Sequence, residues 1–188
     1  MGELEATYAT FDCGFIDLFV DDRADDAMLA QLLHGPASSY LRRVSLSGPT
    51  ELLTVLLSHL VTKPRPWLQH LAISRPHVSS MLVGPELGEK LALATPNLEV
   101  LDLLGPNLLD RFAHPNVREL GITGCASIDL SGGAPMSALH TIDFAFDGDR
   151  PTPRGLFAPE RVPALRRLRC AREEPGRRVF EALGTLRV

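Results

Sequence analysis

The sequence predicts an α/β fold in which short parallel strands stack into one sheet and helices and loops return along the opposite side. Three observations predict it. A six-residue pattern, apolar-x-x-apolar-x-apolar, recurs along the chain. Three of its copies share their flanking residues, and several intervening segments carry apolar residues at helical spacing.

The copies run in order. The first is Phe15, Leu18 and Val20, and the second is Leu41, Val44 and Leu46. Leu68, Leu71 and Ile73 follow, then Leu98, Leu101 and Leu103, then Val117, Leu120 and Ile122. The series continues with Leu139, Ile142 and Phe144, and with Leu165, Leu168 and Cys170. These place strands near 15–20, 41–46, 68–73, 98–103, 117–122, 139–144 and 165–170, and an eighth copy at 183–188 would close the chain. The copies start 26, 27, 30, 19, 22 and 26 residues apart, enough each time for one strand and one return. The segment from Tyr40 to Pro49 aligns residue by residue with Trp67 to Pro76 and with Asn97 to Pro106. Pro96-Asn97-Leu98 and Pro115-Asn116-Val117 also begin alike.

Within each copy the last two apolar residues alternate with polar ones, the period of a half-buried strand. One such strand cannot bury its apolar face alone, so neighbouring units must stack. Gly48-Pro49 and Gly105-Pro106 end two of the strands, because proline cannot donate to a ladder. The returns at 24–34, 50–61 and 86–94 have helical spacing, clearest in Leu52, Leu53, Leu56, Leu57 and Leu60. The return after Ile122 is rich in Gly and Ser and reads as a loop. Residues 107–113 allow at most two turns, and 177–183 a last short helix.

These residues resemble the leucine-rich-repeat family over 15–170. The resemblance implies a single domain, 1–188, shaped as a horseshoe solenoid of about seven to eight repeats. Its parallel sheet would line the concave face, with helices and loops on the convex face. One departure matters. Many members place Asn or Cys three residues after the last strand leucine. Here Arg23, Pro49, Pro76, Pro106, Asp147 and Glu173 stand there, and only Cys125 matches. The repeats are therefore expected to be irregular and of a divergent, bacterial kind.

The resemblance also implies a function: a non-catalytic protein–protein interaction module, adaptor or regulatory subunit that binds a protein partner on the concave face. In that register the partner-binding residues are Arg43, His70, Val100, Asp102, Leu104, Glu119, Asp143, Arg167 and Arg169. Asp102, Glu119 and Asp143 form an acidic middle, and Arg166, Arg167, Arg169 and Arg172 a basic C-terminal end. The alternative is a structural segment that self-associates through a C-terminal edge strand. An enzyme with an unrecognised site ranks below both.

Composition narrows the classes. Apolar residues make up 45% and charged residues 22%, which supports a packed core without disulfides or metal. A net charge of −4 and scarce aromatics disfavour nucleic acid as the partner. No apolar run reaches membrane-spanning length, and the acidic start does not read as a signal peptide. Cys13, Cys125 and Cys170 form no CxxC pair, so reduced thiols in a cytoplasmic protein are expected. The six histidines show no HExxH spacing, and Gly84 to Lys90 lacks phosphate-loop spacing. No metal, cofactor or catalytic residue is expected.

Overall fold

The computed structural model describes residues 7–21, 31–74, 85–104, 113–123, 134–145 and 160–170. Strands β1 (Thr7–Asp12) and β2 (Phe15–Val20) come first, and a 3-10 turn (Pro36–Tyr40) leads into β3 (Leu41–Ser47). Helix α1 (Thr50–Leu60) precedes β4 (His70–Ser74), and α2 (Pro85–Ala94) precedes β5 (Val100–Leu104). Strands β6 (Glu119–Thr123), β7 (Thr141–Ala145) and β8 (Arg167–Cys170) complete the sheet.

Alternation decides which residues enter the core. Leu18 and Val20, Val44 and Leu46, Leu71 and Ile73, Leu101 and Leu103, and Leu120 and Ile122 are buried in register from strand to strand. Leu53, Leu56, Leu57 and Leu60 of α1 and Leu91 of α2 join the same cluster. Each buried leucine contributes about 1.5–3 kcal/mol by leaving water. Leu68, Leu98, Leu139 and Leu165 lie just ahead of their strands. Each sits at the end of a tight turn, donating its N–H to Arg65, Thr95, Met136 and Val162 respectively at 3.0–3.2 Å.

The architecture corrects the expected one. Strand β1 lies outside the six-residue pattern, and it pairs antiparallel with β2 from Thr7↔Val20 to Asp12↔Phe15. Their turn is tight because Cys13 and Gly14 both hold positive φ, 50° and 85°, the conformation of a primed hairpin turn. Arg42 then staples the hairpin to β3: it grips both carboxylate oxygens of Asp17 at 3.0 and 3.1 Å and reaches Asp12 at 3.0 Å. That contact holds the Asp12 carboxyl below its ordinary range.

From β2 onward the strands pair parallel and in chain order. Among the described residues the result is one continuous, mixed, eight-stranded sheet, with α1, α2 and the 3-10 turn packed against it. It is not a seven- to eight-repeat leucine-rich-repeat horseshoe. A regular arc needs equivalent units that each add the same small rotation. Here the units differ in length and in what returns between them, and the first pair is a hairpin. The eighth copy at 183–188, the 107–112 and 177–183 segments, and the return after residue 123 lie outside the described residues.

Two buried polar side chains find partners beneath the sheet. Arg65 is 1% exposed, and its guanidinium bonds Leu33 O at 2.6 Å, Ser38 Oγ at 2.5 Å and, more weakly, Leu60 O at 3.4 Å. It thereby ties the 3-10 turn to the end of α1. His114 is 0% exposed and links two neighbouring turns. Its Nε2–H donates to Thr95 O at 2.8 Å, and its Nδ1 accepts the Asn116 N–H at 3.2 Å.

Candidate functional site

The parallel strands β4 to β8 begin along one margin of the sheet, its leading edge. There a repeated hydrogen-bond pattern sets the side chains. Gln69 O accepts the N–H groups of both Glu99 and Val100, each at 2.9 Å. Glu99 O accepts from Arg118 and Glu119 at 2.8 and 3.1 Å, and Arg118 O from His140 and Thr141 at 3.0 and 3.1 Å. His140 O accepts from Arg166 and Arg167 at 3.0 and 2.9 Å. Each of these carbonyls accepts two successive N–H groups just ahead of the paired residues, and the arrangement recurs at four successive strand pairs, so Gln69, Glu99, Arg118, His140 and Arg166 form a row ahead of the strands.

Two concavities follow that row. The first is a cleft of about 420 Å³ between the starts of β7 and β8, lined by Ser137, His140, Thr141, Arg166 and Arg167 with Ala138 and Ala164. His140 Nδ1 and Thr141 Oγ1 share a hydrogen bond of 2.9 Å, which orients the imidazole. Arg166 and Arg167 are exposed. No carboxylate is among the described lining residues. Arg161, in the turn leading to Ala164, is 5% exposed and donates one N–H to Ala134 O. Its Nε and Nη2 have no partner among the described residues, and burial draws its pKa below the ordinary value.

The second concavity, about 320 Å³, adjoins the first at Ala138 and runs past Trp67, Gln69, Asn97, Glu99, Asn116 and Arg118. Trp67 is 51% exposed, and its ring is steadied edge-on by Phe15 at 5.6 Å. Asn97 and Asn116 donate their side-chain amides to Pro66 O and Pro96 O at 2.8 and 2.5 Å. The shared Pro-Asn starts of these units thus build one wall. Among the described residues, no three His, Cys, Asp or Glu side chains gather to hold a metal ion, and no helix is long and apolar enough to cross a membrane.

The residues expected to bind a partner occupy the exposed face of the sheet. Arg43, His70, Val100 and Glu119 share one column, which continues through Thr141 to Arg167. Asp102, Gly121, Asp143 and Arg169 share the next, and Leu104 lies in the third. The fold neutralises much of their charge internally. His70 Nε2 meets Asp102 Oδ2 at 2.8 Å, and Arg169 Nη1 meets Asp143 Oδ2 at 3.1 Å. Asp143 and Arg169 stand on neighbouring strands, so the acidic middle and the basic end are not two separate patches. Arg172 lies outside the described residues.

No family model, characterised protein or solved structure matches this chain.

The expected function is corrected with the fold. An adaptor or regulatory module that grips a protein partner requires the concave face of a horseshoe, and this mixed-sheet α/β domain does not provide that architecture. The alternative of a segment of a longer solenoid rests on the same architecture. Of the nine expected binding residues, only Arg167 lines either concavity described above. Columns drawn only within the strands pass over the leading-edge row. The sequence does carry one signal for it: the residue after the first apolar position is polar in Gln69, Glu99, Arg118, His140 and Arg166.

Proposed function

We propose that this domain is a non-catalytic binding protein that captures a compact anionic group, a carboxylate or a phosphate, in the cleft between β7 and β8. One observation carries the reading: two guanidinium groups, an imidazole and two hydroxyl side chains line the cleft, and no carboxylate is among its described lining residues. Guanidinium forks match the planar or tetrahedral oxygens of such anions, and these charge-assisted bonds are the stronger kind. The net charge of −4 opposes non-specific capture of anions by the surface as a whole. The free, exposed Cys13 thiol suits a reducing compartment, which supports a cytoplasmic setting.

The test is a titration with inorganic phosphate and, separately, acetate, followed by amide resonances. Saturable shifts at His140, Thr141, Arg166 and Arg167 are expected with at least one anion. Arg166→Ala combined with Arg167→Ala is expected to weaken binding at least tenfold. Absence of saturation with both anions, or unchanged binding in the double variant, overturns the reading.

A further inference from the structure

The two concavities meet at Ala138, and their chemistries differ in a graded way. At the β8 end stand Arg166, Arg167 and His140. At the β4 end stand a half-exposed indole, an amide and the loosely associated Glu99 and Arg118, whose charged atoms are 3.8 Å apart. Four strand-to-strand steps separate Trp67 from Arg166, a span of about 19 Å at roughly 4.8 Å per step. A single anion fills only one end of that length.

We infer that the leading edge binds an acidic oligosaccharide, with a carboxylate-bearing sugar in the β7–β8 cleft and less charged sugar rings lying along the trough to Trp67. This rests on the anion-binding reading of the cleft. The groups along the trough are planar hydrogen-bonding side chains of both polarities: the Gln69 amide, the Glu99 carboxylate and the Arg118 guanidinium. Sugar hydroxyls donate and accept, so they satisfy all three. The indole presents a flat apolar surface with an N–H at its rim, suited to the C–H face of a sugar ring. Phe15 and the Asn97 and Asn116 bonds to the preceding turns hold this wall in place before any ligand arrives.

A single-stranded nucleic acid also pairs stacking with a basic groove. It fits this trough less well. Glu99 lies in the trough, so a carboxylate faces the path that successive phosphates would follow. An acidic sugar chain bears its charge on single groups and can direct one of them to the arginines.

Trp67 is the only tryptophan in the chain, so its fluorescence reports on the trough directly. The experiment compares glucuronate, an aldotetraouronic acid (one glucuronate on neutral xylotriose), neutral xylotetraose and a tetrameric oligothymidylate, using calorimetry throughout and Trp67 emission for the unmodified protein. The aldotetraouronic acid is expected to bind at least tenfold tighter than glucuronate and to shift the emission. Trp67→Ala is expected to remove that gain while leaving glucuronate affinity unchanged. The Arg166→Ala, Arg167→Ala double variant is expected to weaken both acidic ligands at least tenfold. If the aldotetraouronic acid binds no tighter than the monomer, or its gain survives Trp67→Ala, the oligosaccharide inference falls while the anion cleft stands. If the oligothymidylate shifts Trp67 and the sugars do not, the trough binds nucleic acid and the inference is wrong. If xylotetraose binds as tightly as the aldotetraouronic acid, the acidic requirement is wrong. If no acidic ligand binds and phosphate and acetate also fail, both readings fall.

Discussion

His114 makes stability depend on pH in a direction the structure specifies. Its Nδ1 accepts the Asn116 N–H at 3.2 Å, so the ring proton lies on Nε2, where it meets Thr95 O at 2.8 Å. An accepting Nδ1 requires the neutral ring, because both nitrogens of a protonated imidazole donate. Burial is the larger influence on this histidine and lowers its pKa, and the Thr95 bond opposes that only in part. In the unfolded chain the imidazole titrates near an ordinary value of about 6.5.

The sign follows from proton counting. Above about pH 6.5 both states hold neutral imidazole, and the contribution is fully present. As pH falls below that value the unfolded state takes up a proton that the folded state refuses. Stability is therefore lost until pH reaches the lowered folded pKa. The loss has a ceiling of about 1.4 kcal/mol per pH unit for one group. His114→Gln keeps a donor and an acceptor on a side chain that cannot titrate. The assay is urea unfolding of both proteins at several pH values between 7.5 and 5. The difference, wild type minus variant, isolates His114 from the other histidines. It is expected to fall as pH drops below 6.5. A difference that stays level across that range, or rises on acidification, would refute the reasoning.

Two further outcomes follow from buried or crowded groups. Arg65→Lys replaces a fork that reaches three oxygens with a single ammonium. It is expected to cost about 2–4 kcal/mol in chemical denaturation, and a cost below 0.5 kcal/mol on that approximate scale would show that the fork is dispensable. At Gly121, an added Cβ would collide with the Asp102 carboxylate, which His70 holds in place. Gly121→Ala is thus expected to cost about 1–3 kcal/mol alone and to become nearly neutral when combined with Asp102→Ala. Equal costs in the two backgrounds would place the strain elsewhere.

Alternation is a local property, so the amino-acid order alone makes it legible. The buried pairs Val44 and Leu46, or Leu101 and Leu103, follow from period-two spacing along one short segment. The Leu53 to Leu60 stripe likewise needs only helical spacing to define the side of α1 that meets the core. The horseshoe does not follow from these local patterns, because equal rotation between units is a long-range property. Strand β1 has no copy of the pattern, and only its pairing with β2 across a positive-φ turn makes the sheet mixed.

The candidate site divides in the same way. The sequence alone determined that Arg43, His70, Asp102, Asp143, Arg167 and Arg169 occupy polar strand positions, since each alternates with an apolar neighbour. Tertiary structure decided that His70 meets Asp102 and that Asp143 meets Arg169, because these partners are 32 and 26 residues apart. It also decided the leading-edge row. The hydrogen bonds that align Gln69, Glu99, Arg118, His140 and Arg166 exist only where one unit's carbonyl receives two N–H groups from the next. The same long-range pairing brings Arg166 and Arg167 beside His140, and a sequence read unit by unit has no physical quantity that encodes that meeting.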